Sequence, residues 1–117
     1  MEDSVIFKLS KHFALRIIKL YSYLCNDKKE FVISKQLYRC GTSIGANIAE
    51  SIYAQSDADY LSKLRIALKE AGETKYWLEL LSESELLSQT EFDSIVKDVN
   101  TIIGTLVNII NKKTKNE

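Results

Sequence analysis

Proline is absent from this chain, and histidine, tryptophan and methionine occur once each. Without proline, nothing in the covalent chain forces a helix to kink or stop, so helical patterns are free to run long. The single histidine, His12, leaves too few imidazoles for a zinc or di-iron centre built on histidine. No Glu-x-x-His pair of the kind that holds di-iron sites in helical bundles occurs either. A Gly-x-x-x-x-Gly-Lys phosphate loop is also missing, because Gly41 and Gly45 are followed by Ala46 and Asn47 with no lysine in place. The expectation is a protein that is not an enzyme and carries no metal or cofactor. Cys25 and Cys40 fall in different expected helices and make no Cys-x-x-Cys spacing, so both are expected as reduced thiols. The longest apolar stretch, IIGTLVNII at 102–110, is broken by Gly104, Thr105 and Asn108 and is far short of the roughly 20 residues a membrane span needs. The start, MEDSVIFKLSKHF, has neither the basic beginning nor the apolar run of a secretory signal, and a cytoplasmic location is expected.

What is present fits one globular domain over 1–117, with 45% hydrophobic and 27% charged residues. Net charge is zero but unevenly spread. Residues 1–39 hold eight Lys/Arg against four Asp/Glu, residues 40–100 five against eleven, and residues 101–117 three against one. Basic ends around an acidic middle give one basic surface if the first and last helices are neighbours; otherwise the charges belong to solvated helix faces.

Four stretches carry helical periodicity. Ile6, Leu9, Phe13, Ile17, Leu20 and Leu24 mark a helix over about 4–25, ended by the polar break Asn26–Lys29. Ile33, Leu37, Ile44, Ile48 and Ile52 mark a second over 33–53, with Ser34 or a neighbour as its cap. Leu61, Leu64, Leu68, Ala71, Leu78 and Leu81 mark a third over 57–83, capped by Ser56 or Asp57, with Lys63, Lys69, Glu70, Glu73 and Glu79 on solvated faces. Phe92, Ile95, Val96, Val99, Ile102, Ile103, Leu106 and Ile110 mark a fourth over 90–113, with a lysine-rich frayed tail. With no strand-like alternation, the fold class is all-α, an antiparallel up-and-down four-helix bundle.

The stretch RCGTSIGANIAES holds the most specific signals. Gly41, Gly45 and Ala49 place a small residue at every fourth position, a furrow that lets another helix or a large side chain settle close, as tight packing inside the monomer or, in the alternative, at a subunit seam. Close approach offsets the roughly 1 kcal/mol that each helical glycine costs against alanine. On the other side of the same helix, Arg39, Ser43, Asn47 and Glu50 form a polar stripe. Arg39 and Glu50 are too far apart to pair with each other, so each needs a partner from water, another helix or another chain. The stripe is a candidate oligomer or partner contact, against the alternative of local hydrogen bonds that fix helix register. On the first helix Lys8, His12, Arg16 and Lys19, flanked by Lys11, make a cationic row suited to a phosphate backbone. Tyr21, Tyr23, Tyr53, Tyr60, Tyr76 and Trp77 are scattered and read as packing or interface anchors.

The run Arg39–Glu50, the Ser/Asp-rich gap after it, and DYLSKLRIALKEAGETKYWLELL from Asp59 to Leu81 resemble the four-helix-bundle proteins encoded by intervening sequences in bacterial 23S rRNA genes. Arg39, Ser43, Ile44, Gly45, Asn47, Glu50, Ala67 and Glu79 sit where such sequences show them. The resemblance implies an up-and-down bundle that assembles into a closed homo-oligomer, a pentameric ring. It also brings a likeness to the accessory protein of diversity-generating retroelements, which is strongly basic and associates with nucleic acid and a reverse transcriptase. The zero net charge departs from that relative. The leading expectation is a non-catalytic homo-oligomeric module that binds RNA or an RNA-associated protein. The alternative is a structural or protein-recruiting assembly without nucleic-acid affinity.

Overall fold

The computed structural model describes residues 2–115, with side chains from Val5 onward. Met1, Asn116 and Glu117 of the expected 1–117 span lie outside the described residues. The elements are α1 (Glu2–Asn26), α2 (Ile33–Ile52), α3 (Asp57–Glu83) and α4 (Gln89–Lys115). Each helix packs on its two neighbours in chain order, and α4 closes back on α1. Short turns at 27–32, 53–56 and 84–88 make the helices alternate in direction, giving an up-and-down bundle of 47 × 22 × 19 Å.

The helix ends show how the chain reverses. Ser56 caps α3 as the sequence suggests, its Oγ accepting from the Asp59 N–H at 3.0 Å. At α2 the expectation fails. Val32 stands at the cap position without a side-chain bond, and the Glu30 carboxylate instead accepts from the N–H groups of Val32, Ile33 and Ser34 at 3.1, 3.0 and 2.7 Å. Ser34 is buried, its hydroxyl donating to the Glu30 carbonyl at 2.8 Å. A carboxylate on the preceding turn thus does the capping work, with the added attraction of a negative charge for the helix N-terminus. α3 ends with Glu85 at a φ of 64°, where the Leu86 N–H reaches the Leu81 carbonyl at 2.9 Å and the Glu85 N–H reaches Ser82 at 3.1 Å. These two bonds satisfy carbonyls that the helix end would leave unpaired. Ser88 opens α4 by accepting from the Glu91 N–H at 3.2 Å, two residues before the expected helix start at position 90.

The core is the set the periodicity marks: Phe13, Ile17 and Leu24 of α1, Leu37, Ile44 and Ile48 of α2, Leu64, Ala71 and Leu78 of α3, and Ile95, Val99 and Ile102 of α4. Ile52 departs from its expected stripe and is half exposed, because it is the last residue of α2 and the chain turns away there. The lysine-rich tail, expected to fray, is helical over its described residues. α4 continues to Lys115, and Lys113 reaches Asp57 at the start of α3 at 3.0 Å.

Candidate nucleic-acid interface

The small-residue furrow of α2 is filled from within the chain. A Cβ added at Gly41 would stand 2.8 Å from Ile17 Cγ1, so the fully buried Ile17 of α1 occupies the missing side chain's place. At Gly45 the neighbour is the Ser10 backbone, with its carbonyl oxygen 3.5 Å from such a Cβ. Ser10 is itself buried, its hydroxyl donating to the Phe7 carbonyl at 3.0 Å. Ala49 follows, half-buried, toward the end of α2. The furrow is therefore the α1–α2 seam.

The polar stripe lies along the next seam, between α2 and α3. Arg39 donates to Glu73 and, at 3.5 Å, to Glu70. Glu73 also accepts from the Trp77 indole N–H at 2.9 Å. That indole bond, with Arg39 beside it, holds the Glu73 carboxyl below its ordinary range, and the Glu73 bond raises Arg39 in turn. Glu50 meets Lys63 of α3 at 3.8 Å. Ser43 and Asn47 donate to carbonyls of their own helix, those of Arg39 and Ser43, at 2.6 and 2.8 Å. The partners that Arg39 and Glu50 require are thus on α3. The expectation of a solvated face for Glu70 and Glu73 is corrected, since the Glu70 side chain is only 13% exposed against α2. Deeper in the same seam, burial pushes the Cys40 thiol up to about 11. Cys40 and the half-buried Cys25 are both free.

The cationic row of α1 divides at the α1–α4 seam. Arg16 is tied down by α4, donating to Asp98 at 2.9 Å and to the Ser94 hydroxyl at 3.0 Å, with Glu91 at 3.5 Å. Sequence reasoning placed Arg16 among the free cations, and its acceptors were hidden in the fourth helix. Lys8, His12 and Lys19 are exposed and have no acidic partner among the described residues, and Lys11 lies 6.0 Å from the Phe7 ring.

This seam is the sparsest of the bundle, and beside Arg16 it opens into a groove of about 610 Å³. His12, Arg16, Lys19, Leu20 and Tyr23 line it from α1, Leu87 and Ser88 from the turn before α4, and Glu91 from α4. The Lys28 ammonium lies 5.9 Å from the Tyr23 ring. Sequence reasoning missed the groove and its Leu87 and Ser88, because it forms only where the first helix meets the turn that leads into the last. Among the described residues no helix is long and apolar enough to cross a membrane, and no group of three or more His, Cys, Asp or Glu is placed to hold a metal ion.

Comparison with known proteins adds two findings. The profile of the 23S rRNA-intervening sequence protein family matches residues 2–108. A crystal structure of a protein of unknown function from the S23 ribosomal protein family, from Bacteroides thetaiotaomicron VPI-5482, is 52% identical and superimposes with a TM-score of 0.94, covering 95% of this chain and 99% of that one. No functionally curated protein matches. With a matched span running nearly from end to end and a fold shared at this level of identity, the chain belongs to the 23S rRNA-intervening sequence protein family.

Proposed function

We propose that this chain is a non-catalytic module, working in the cytoplasm as a homo-oligomer, that binds RNA or an RNA-associated protein through the outer face of α1. The observation that carries the reading is the row of exposed cations Lys8, His12 and Lys19, without an acidic partner among the described residues, on a helix whose arginine is already satisfied. The family's description, which names an intervening sequence of 23S rRNA, agrees with an RNA-linked role. A few cations per chain are a weak phosphate site by themselves, and repetition around a closed ring multiplies them by effective concentration. A pentamer is the state that the family resemblance implies. Leu15 and Ile18 of α1 are 55% and 42% exposed, and Tyr38 of α2, 39% exposed, lies against Tyr21 of α1. These apolar side chains suit contact with a sister copy.

The test is binding of a generic RNA at rising salt. The reading predicts binding at about 50 mM salt that falls steeply by about 200 mM, and a shallower salt dependence for Lys8→Ala with Lys19→Ala. Absence of binding even at low salt removes it. The apolar residues of α1 and α2 would then favour the second reading, a structural or protein-recruiting assembly without nucleic-acid affinity.

A further inference from the structure

We infer that the groove between α1 and the start of α4 seats one nucleotide of a single-stranded RNA, with its base against the Tyr23 ring and its phosphate at Lys19. This inference rests on the RNA-binding reading above and gives it a site.

The groove joins three features that a nucleotide uses together. Its floor is apolar, from Leu20 and Leu87, which are 8% and 5% exposed. Its rim carries an aromatic ring, Tyr23, 40% exposed and so open on part of its surface. Its cations, Lys19 and His12, have no acidic partner among the described residues, while Arg16 is committed to α4 and serves as the fixed wall. Glu91 is the carboxylate in the lining, and Arg16 stands 3.5 Å from it, so it is partly compensated. At about 610 Å³ the opening falls in the size range of small-ligand sites.

Lys28 indicates what the ring is suited to hold. Its ammonium lies 5.9 Å from the Tyr23 ring, a weak cation–π contact that a stacked base can replace. Displaced from the ring, the ammonium is free to meet the next phosphate along the strand. Aromatic rings beside lysines are the recurring elements of single-strand sites, because every base has a π-face and every link has a charge. A base inside a duplex is already stacked on both sides and cannot enter a groove of this kind, so the site selects single strands.

The test is fluorescence anisotropy with a labelled single-stranded oligoribonucleotide, its duplex, and a polyglutamate chain, at low salt. Tyr23→Ala should weaken single-strand binding roughly tenfold, Tyr23→Phe should leave it unchanged, and the wild type should prefer the single strand to the duplex. If Tyr23→Ala lowers the thermal midpoint, Tyr23→Leu, which keeps apolar bulk without a ring face, takes its place. Undiminished binding by the ring-less variant, or equal binding of the duplex, overturns the groove assignment and leaves the RNA reading standing. Polyglutamate captured instead of RNA, with the same dependence on Tyr23, assigns the groove to an acidic protein and overturns the inference. No binding of any RNA overturns the broader reading, and the inference falls with it.

Discussion

Gly41 and Gly45 stand one turn apart on α2 yet meet different neighbours, and their alanine variants should diverge. At Gly41 the added Cβ collides with a γ carbon of Ile17, an atom close to its own backbone in a fully buried side chain with little room to turn. Gly41→Ala should therefore lower stability by about 1–3 kcal/mol. At Gly45 the same Cβ finds ordinary contact, 3.4 Å from the Ser10 hydroxyl oxygen, so Gly45→Ala should be neutral or gain up to about 1 kcal/mol of helix propensity. Gly45→Leu should be strongly destabilising, because its longer side chain would meet Ser10 backbone. Urea midpoints of the variants check this, and equal effects of the two alanines would contradict it. Glu30 gives a second residue-scale prediction. Partial burial pushes its carboxyl up, but the N–H bonds from Ile33, Ser34 and Val32 outweigh that and hold it below its ordinary 4.5. A depressed carboxyl contributes stability that is present above the unfolded value, near pH 4.5, and lost as pH falls through the folded one. Glu30→Gln should cost about 1 kcal/mol at pH 7 and should narrow its gap to wild type at pH 3. Thermal melts at the two pH values decide, and a gap that widens in acid contradicts the capping role.

At the scale of elements, legibility depended on distance along the chain. The four helices could be read because Phe13, Ile17, Leu20 and Leu24, and their counterparts elsewhere, repeat with the helical period. Ser56 could be read because an N-cap acts within its own turn. Glu30 was missed because its carboxylate reaches forward from a turn in which Lys29 takes a φ of 55°, a conformation that composition does not announce. The furrow was recognised as a packing surface, but its occupants Ile17 and Ser10 belong to another helix. Arg16 was misread for the same reason on a larger scale, since Asp98 lies 82 residues away in sequence. The α1–α4 seam, with Arg16 its main polar clasp, yields a contrast within one cationic row. Arg16→Ala should cost about 1 kcal/mol of stability, having removed partly shielded bonds to α4, whereas Lys19→Ala should change stability by less than about 0.5 kcal/mol. For RNA the ranking should reverse, with Lys19→Ala lowering affinity and reducing the salt slope by roughly 0.7. Equal loss of RNA affinity in the two variants at unchanged stability would show that Arg16 is also a free phosphate contact.

At the scale of the whole molecule, the stripe from Arg39 to Glu50 finds its partners on α3 and within α2, so assembly does not require it to satisfy any charge. The apolar side chains Leu15, Ile18 and Tyr38 remain the better surface for a sister copy, and they lie on the two helices that form the furrow seam. A neutral chain gathers a field strong enough for RNA only by repeating its cationic face, so the proposed RNA binding requires oligomerisation, whereas an assembly without RNA affinity does not require RNA. The most direct measurement is the native mass of the purified protein at low salt, with and without added single-stranded RNA. The account predicts a mass several times 13.4 kDa, five times it for the ring, which rises further when RNA is added. A lone 13.4 kDa species that takes up no RNA would contradict it.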